Sequence, residues 1–288
     1  MFGSSAVLGK AALAAFPSNA IVGFRVGGAA LAFCLLQRLR GGNFRLEKSS
    51  HYLQFAVFSF FGVIFNQLLF FKGLSLTTAA NTSLLAVTIP VFTILIGSVF
   101  GLDRLTRAKL SGVVLAAAGV VYLIDPASAS FSSETTRGDV LIILNSLSYA
   151  AYVALSKNLI RRYGALKSIA LVFLFASFIN VPIGLISLSS VELSQVSLSA
   201  WLAVAATVLF PTILAYYLNA WALARVEPSV VAIYVYLQPL VGFLLAVMFL
   251  GERFTLRLLV SAALVFCGVF LVTRRRRLEF AETHLSAD

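Results

Sequence analysis

Charge is scarce in this chain: of its 288 residues only 11% are Asp, Glu, Lys or Arg, while 60% are hydrophobic. Soluble proteins carry about 25% charged residues, so this composition cannot clothe a water-facing shell and excludes an ordinary soluble domain. Acids are scarcer still. All eleven fall in loops, at span ends or in the tail: Glu47, Asp103, Asp125, Glu134, Asp139, Glu192, Glu227, Glu252, Glu279, Glu282 and Asp288. Histidine is limited to His51 at a span end and His284 in the tail, and cysteine to Cys34 and Cys267 in separate spans. With no carboxylate or imidazole expected at membrane depth, intramembrane hydrolysis, metal chemistry and a carboxylate-based proton relay lack their working groups. A disulfide, a metal site and a cofactor are likewise not expected.

What the chain has instead is long apolar runs with short polar breaks. Nine reach the roughly 17 to 25 residues that cross a bilayer, near 18–38, 51–72, 79–101, 106–124, 138–158, 168–188, 199–223, 229–250 and 256–273. The first stretch, Met1 to Ala15, is also apolar but extends only about 22 Å as a helix. Its lone charge, Lys10, sits in its middle, whereas a signal peptide carries its charge ahead of the apolar segment. It is expected to be a first helix, clipped at its outer turns.

An internal repeat supports that count. The segment from Thr88 matches the segment from Leu237 at a constant offset of 149 residues: Pro90 falls on Pro239, Phe100 on Phe249, Thr106 on Thr255, Leu110 on Leu259, Leu115 on Leu264 and Gly119 on Gly268. Five helices per copy follow, and an odd number per copy inverts the second copy in the membrane. The expected fold is therefore all-α, with ten transmembrane helices in two inverted five-helix repeats at 1–125 and 138–274 and a tail at 275–288. Inverted repeats exchange two conformations around a central site, which predicts transport by alternating access.

Placing both termini inside puts sixteen Lys/Arg on the cytoplasmic side against four outside, as the positive-inside rule requires. The net charge of +11 is thus mostly a topology signal. It argues against a nucleic-acid partner and for anionic inner-leaflet lipid. A homodimer stays open.

Polar residues form faces at helical spacing. Asn145, Tyr149, Tyr152 and Ser156 share one face; Ser59, Asn66 and Phe70 another; Asn81, Thr88 and Phe92 a third; Thr212, Tyr216 and Asn219 a fourth; Tyr234 and Gln238 stand one turn apart. Such faces either glue helices together or line a wet cavity. Five of them together favour a cavity suited to a small organic molecule with an apolar part. Lys10 and Arg25 are cations within spans; they either snorkel to an interface or hold an anionic substrate group. Pro90, Pro211 and Pro239 interrupt helices and are expected hinges, Pro182 a static kink or a hinge.

These features resemble the EamA-type permeases of the drug/metabolite transporter superfamily over essentially the whole chain. The resemblance rests on FGSSAVLGKAAL with Lys10, FRVGGAALAF with Arg25, GDVLIILNSLSYAAYVALSKNLIRR from Gly138, and YLQPLVGFLLAVMFLGERFT from Tyr236. It implies ten helices in inverted repeats, a central cavity among helices one, three, four, six, eight and nine, cytoplasmic termini, and movement of small metabolites, amino acids prominent among them. Two departures stand out: Phe2-Gly3 replaces the usual longer helix start, and Leu102-Asp103 stands where the second repeat has Gly251-Glu252. The expected function is export of amino acids or related amphipathic metabolites across a bacterial inner membrane, with facilitated or exchange transport favoured by the missing acids. Two alternatives are a carrier of nucleotide sugars or phosphorylated metabolites on the same fold, and a membrane enzyme or receptor without transport. The first would want several converging cations, the second acid-base groups in the core.

Overall fold

The structure is a computed structural model and describes residues 2–101, 106–124, 133–225, 237–251 and 255–285. Those residues form helices and short connections. A 3-10 turn at Phe2–Ser4 leads into α1 (Ser5–Leu13), followed by α2 (Ser18–Leu39), α3 (Ser49–Leu76), α4 (Ala79–Val99), α5 (Arg107–Ile124), α6 (Glu134–Tyr163), α7 (Ala165–Leu188), α8 (Leu198–Leu223), α9 (Leu237–Leu250) and α10 (Leu256–Leu285). Six of these, α2, α3, α4, α6, α7 and α8, are long and apolar enough to cross a membrane, and shorter apolar stretches lie at Leu110–Tyr122 and Leu256–Gly268.

Helix starts follow from local chemistry. Thr78, Ser133 and Ser197 each accept from a backbone N–H of the first turn of α4, α6 and α8, satisfying donors that lipid cannot. α6 begins at Glu134, four residues before the apolar pattern predicts, because Ser133 caps it there. Gly164, at φ +80°, takes a backbone conformation closed to other residues and folds α7 back on α6 with a single intervening residue.

Three helix pairs frame the bundle: α2 on α7, α5 on α10, and α3 on α6. Where α2 crosses α7, Gly23 and Gly184 meet so closely that a Cβ on Gly184 would come 2.7 Å from the Gly23 Cα, and farther along Phe33 meets Phe173 edge-on at 5.4 Å. In the α5–α10 pair, Gly119 lies against Ser261 and Val265, and Gly268 against Gly112 and Ala116. Ser261 also donates to the Gly119 carbonyl over 2.6 Å. Small residues bring these backbones together because lipid supplies no hydrophobic drive and close dispersion contact must hold the helices.

Two helices carry a π turn, α3 at Phe60–Ile64 and α8 at Leu209–Leu214. The starting residues, Phe60 and Leu209, stand at the repeat offset of 149. In α8 the break has a visible cause, since Pro211 lacks an N–H and Thr212 donates its hydroxyl to the Thr207 carbonyl over 2.7 Å. In α3 the equivalent position is Gly62. Pro90 lies inside α4, as expected, just after the helix tightens to a 3-10 turn at Ala86–Thr88 and at the start of the regular stretch that follows. There a proline costs nothing, because its missing N–H needs no partner.

The Gly23–Gly184 crossing yields a test. Gly184→Leu should cost at least about 1–3 kcal/mol through overpacking and lower the unfolding midpoint in detergent, whereas Leu35→Ala, at a lipid-facing position of α2, should leave it nearly unchanged.

Candidate functional site

A cavity of about 80 Å³ sits among α1, α2, α3, α4, α6 and α8. Of the residues expected to bind substrate, Arg25, Asn66, Asn145, Tyr149, Tyr216 and Asn219 line it together. Arg25 is only 2% exposed. Its Nη1 donates to Ser5 Oγ over 3.4 Å, and its guanidinium lies 4.8 Å from the Phe71 ring centroid. Its Nε has no hydrogen-bond partner among the described residues. Among the described residues no carboxylate lines the cavity, and the guanidinium is met by neutral groups, the Ser5 hydroxyl and the Phe71 ring, with the Tyr216 hydroxyl in the same wall, a costly arrangement that an incoming anion would relieve.

The walls around Arg25 are fixed by amide and phenol groups. Asn145 Nδ2 donates to the Asn66 carbonyl over 2.8 Å, and Asn66 Nδ2 to the Asn145 carbonyl over 3.3 Å, stapling α3 to α6. Tyr216 from α8 donates to Asn66 Oδ1 over 3.2 Å and accepts from Gln67 Nε2 over 3.1 Å. The π turn of α3 adds to this wall. Its freed carbonyls turn inward, where Phe61 accepts from Ser148 over 2.7 Å and Gly62 lies 3.4 Å from the Tyr216 hydroxyl. The Tyr149 ring meets Tyr216 edge-on at 6.1 Å. The site is therefore one cation amid neutral polar groups and aromatic faces, a chemistry that matches a small molecule with one anionic end and an apolar part; at about 80 Å³ it is smaller than the roughly 300 Å³ or more of a ligand pocket and has to widen to admit one.

Other expected site residues lie elsewhere. Lys10 lines a separate groove with Lys72, Ser75 and Pro17. Tyr152 is buried behind Tyr149, ring centroids 5.7 Å apart, and packs on Gly62 of α3. Tyr234 and the side chains of Gln238 and Pro239 lie outside the described residues. Ser5, Gln67, Ala86 and Ile89 line the cavity without having been singled out from sequence. For Gln67 a signal existed, as it stands 149 residues from Tyr216, which it contacts.

Asn81 has a different occupation, and it corrects the expectation that no carboxylate or imidazole is buried. Asp139 is 2% exposed within α6. It accepts from Thr77 Oγ1 over 2.5 Å and from Asn81 Nδ2 over 3.2 Å. The physical reason is local. Gly138 lets α6 approach so closely that a Cβ there would come 2.8 Å from the Thr77 N, and this carries the next side chain onto the α3–α4 turn, beside the N-terminus of α4, where an anion is favoured. His51 is also buried, its Nδ1 2.5 Å from the Tyr163 hydroxyl. Both are thus enclosed by protein, while each stands within the first six residues of its helix, at the span end that the sequence assigns to it. Asp139→Ala, which strands Thr77 and Asn81, should cost about 1–3 kcal/mol in detergent unfolding, and Asp139→Asn, which keeps an acceptor oxygen, distinctly less.

Comparison with known proteins shows the family. The model of the EamA-like transporter family matches residues 1–124 and 136–274. An uncharacterized transporter of Archaeoglobus fulgidus is 30% identical over 230 residues, 79% of this chain and 78% of the relative. A probable terminal-alkyne amino-acid exporter of Streptantibioticus cattleyicolor is 28% identical over 200 residues, 68% of this chain and 65% of the relative. A solved crystal structure superposes with a TM-score of 0.67 at 20% identity, covering 96% of this chain and 94% of that one, a likeness of fold. The chain is a multi-pass membrane transporter, not an enzyme, and belongs to the EamA-like transporter family.

Proposed function

We propose that this protein is a permease of ten transmembrane helices in two inverted repeats, at 1–125 and 138–274, that exports small amphipathic metabolites by alternating access. Amino acids with apolar or aromatic side chains are the foremost substrate class. The observation that carries the reading is Arg25, a buried cation in a small cavity with no acid among its lining residues. One guanidinium matches one carboxylate, the amides and phenols of Asn66, Asn145, Asn219 and Tyr216 offer acceptors to an ammonium, and the faces of Tyr149 and Phe70 suit a side chain. The amino-acid exporter among the relatives favours the same class. A nucleotide sugar or phosphorylated metabolite, with two or more charges, would find a single cation here.

Several features support the inverted-repeat reading. The π turns of α3 and α8 start 149 residues apart, and Gly112, Ala116 and Gly119 meet partners Ser261, Val265 and Gly268 that stand at that same offset. Exchange of two near-equivalent halves is the basis of access from alternate sides. A π turn stores one extra residue in the helix, so Phe60–Ile64 and Leu209–Leu214, with Pro211, Pro90 and Pro239, serve as the points of bending. The sixteen-to-four distribution of basic residues favours a bacterial inner membrane location with both termini in the cytoplasm, and the basic inner face favours anionic lipid.

Uptake of labelled amino acids into liposomes holding the purified protein tests the reading. At least one aliphatic or aromatic amino acid should enter saturably. Arg25→Ala should raise the half-saturating concentration by about tenfold or more, the loss of a charge-assisted hydrogen bond, while Lys10→Ala, in its separate groove, should change it little. Loss of uptake in Lys10→Ala with Arg25→Ala unaffected would move the carboxylate site, and no uptake from folded protein would remove the amino-acid class.

A further inference from the structure

A second concavity, of about 520 Å³, opens where α2 and α8 end and α6 turns into α7. It shares no lining residue with the central cavity. Three cations reach it from three elements: Arg40 from the end of α2, Lys167 from the first turn of α7 and Arg225 from the end of α8. No acid lines it among the described residues; Glu227, two positions beyond Arg225, lies outside them. Lys167 Nζ donates to the Arg45 carbonyl over 2.6 Å and to Asn43 Oδ1 over 3.3 Å, and Arg225 Nη1 to the Trp221 carbonyl over 3.1 Å. All these acceptors are neutral, so they orient the cations, and among the described residues lining the groove no acid offsets their charge.

Two further features give the concavity its chemistry. Its base is the start of α7, where Gly164 supplies no side-chain cap and the first-turn N–H groups of Ala165, Leu166 and Lys167 lack helical acceptors. Its rim is apolar on the lipid side. Trp221, 44% exposed, carries the Arg225 guanidinium 4.2 Å above its ring; Leu218, about one turn before it on α8, is 43% exposed, and Leu36 and Leu39, next in sequence to the lining residues Gln37 and Arg40, are 41% and 75% exposed. Donors and cations at the base with an aromatic and leucine rim facing the hydrocarbon describe an amphiphile, anionic at one end and bearing acyl chains at the other.

We propose that this groove binds the phosphate headgroup of an anionic phospholipid, with the phosphate against Arg40, Arg225 and the start of α7, and the acyl chains along Leu36, Leu39 and Leu218. Because α2, α7 and α8 all contribute, a lipid seated there ties together helices that alternating access would move apart. The site stands independently of what the central cavity carries.

Trp221 reports directly on occupancy. With Trp201 replaced by Phe, Trp221 is the one remaining tryptophan, and phospholipids with brominated acyl chains quench it on contact. In mixed vesicles, brominated phosphatidylglycerol should outcompete brominated phosphatidylcholine about tenfold at this position, as charge-assisted contacts predict. Arg40→Gln, which leaves the Trp221 surroundings intact, should cut that preference several-fold, and Arg40→Gln/Arg225→Gln should bring it close to unity. Both arginines are exposed, so the variants keep the fold. Equal quenching by the two lipids in the parent protein, or an unchanged preference in the double variant, would overturn the proposal. So would loss of the preference on adding millimolar inorganic phosphate, which would assign the groove to a soluble phosphate. None of these readouts involves transport, so failure here and failure of the permease reading are separate results.

Discussion

Inside a bilayer each polar group must find its partner within the protein, because no water waits to replace a missing bond. The bundle meets this constraint helix by helix. Hydroxyls cap the starts of α4, α6 and α8, and the carbonyls released by the α3 π turn are met by Ser148 and Tyr216. A proline at position 211 is matched by the Thr212 hydroxyl one residue on. Even the buried carboxylate of Asp139 is enclosed by donors from the α3–α4 turn. Exceptions remain among the described residues: both amide atoms of the buried Asn180 and the Nε of Arg25 have no hydrogen-bond partner, and of these two side chains Arg25 is the charged one.

The same constraint explains why the central cavity lies where the helices are least regular. A straight α-helix turns all its carbonyls back on itself and offers a ligand only side chains. The π turn in α3 and the 3-10 turn in α4 change the register of the helix near Asn66 and Ile89, and both residues face the cavity. Irregular backbone at membrane depth is tolerated where it is buried in protein or borders a cavity, which is the setting of both turns.

Much of this was legible from residues alone. The apolar runs gave α2, α3, α4, α6, α7 and α8, because hydrophobic length is a demand of the bilayer and is written directly in sequence. Helical spacing brought Asn66, Asn145, Tyr149, Tyr216 and Asn219 to the right faces for a shared cavity, since a face is a local property. Asp139 was misread for an equally physical reason. Hydropathy marks where apolar residues begin, whereas the helix begins at its cap, Ser133, which moved the carboxylate inward by more than a turn. Asn81 has the right period to face a cavity, yet it meets Asp139 from another helix, and no periodicity within one helix encodes which neighbour it will meet. Lys10 and Arg25 looked alike as cations in spans. They part because Arg25 lies beside Ser5 and Phe71, whereas Lys10 shares a groove with Lys72.

On the proposed reading, charge arithmetic separates the ligands that the two concavities would take. The central cavity offers one cation, held at 2% exposure among neutral amides and phenols. A monoanion neutralises it, while a second negative charge would remain buried without a partner and carry a desolvation cost of several kcal/mol. The groove at the ends of α2 and α8 offers three cations with access to solvent and lipid. There extra charge costs little, because water screens what the protein does not pair. On that reading selectivity for charge would belong to the buried site, and tolerance of it to the interfacial one. A single chain with few acids can hold both because its basic residues are placed at two different depths.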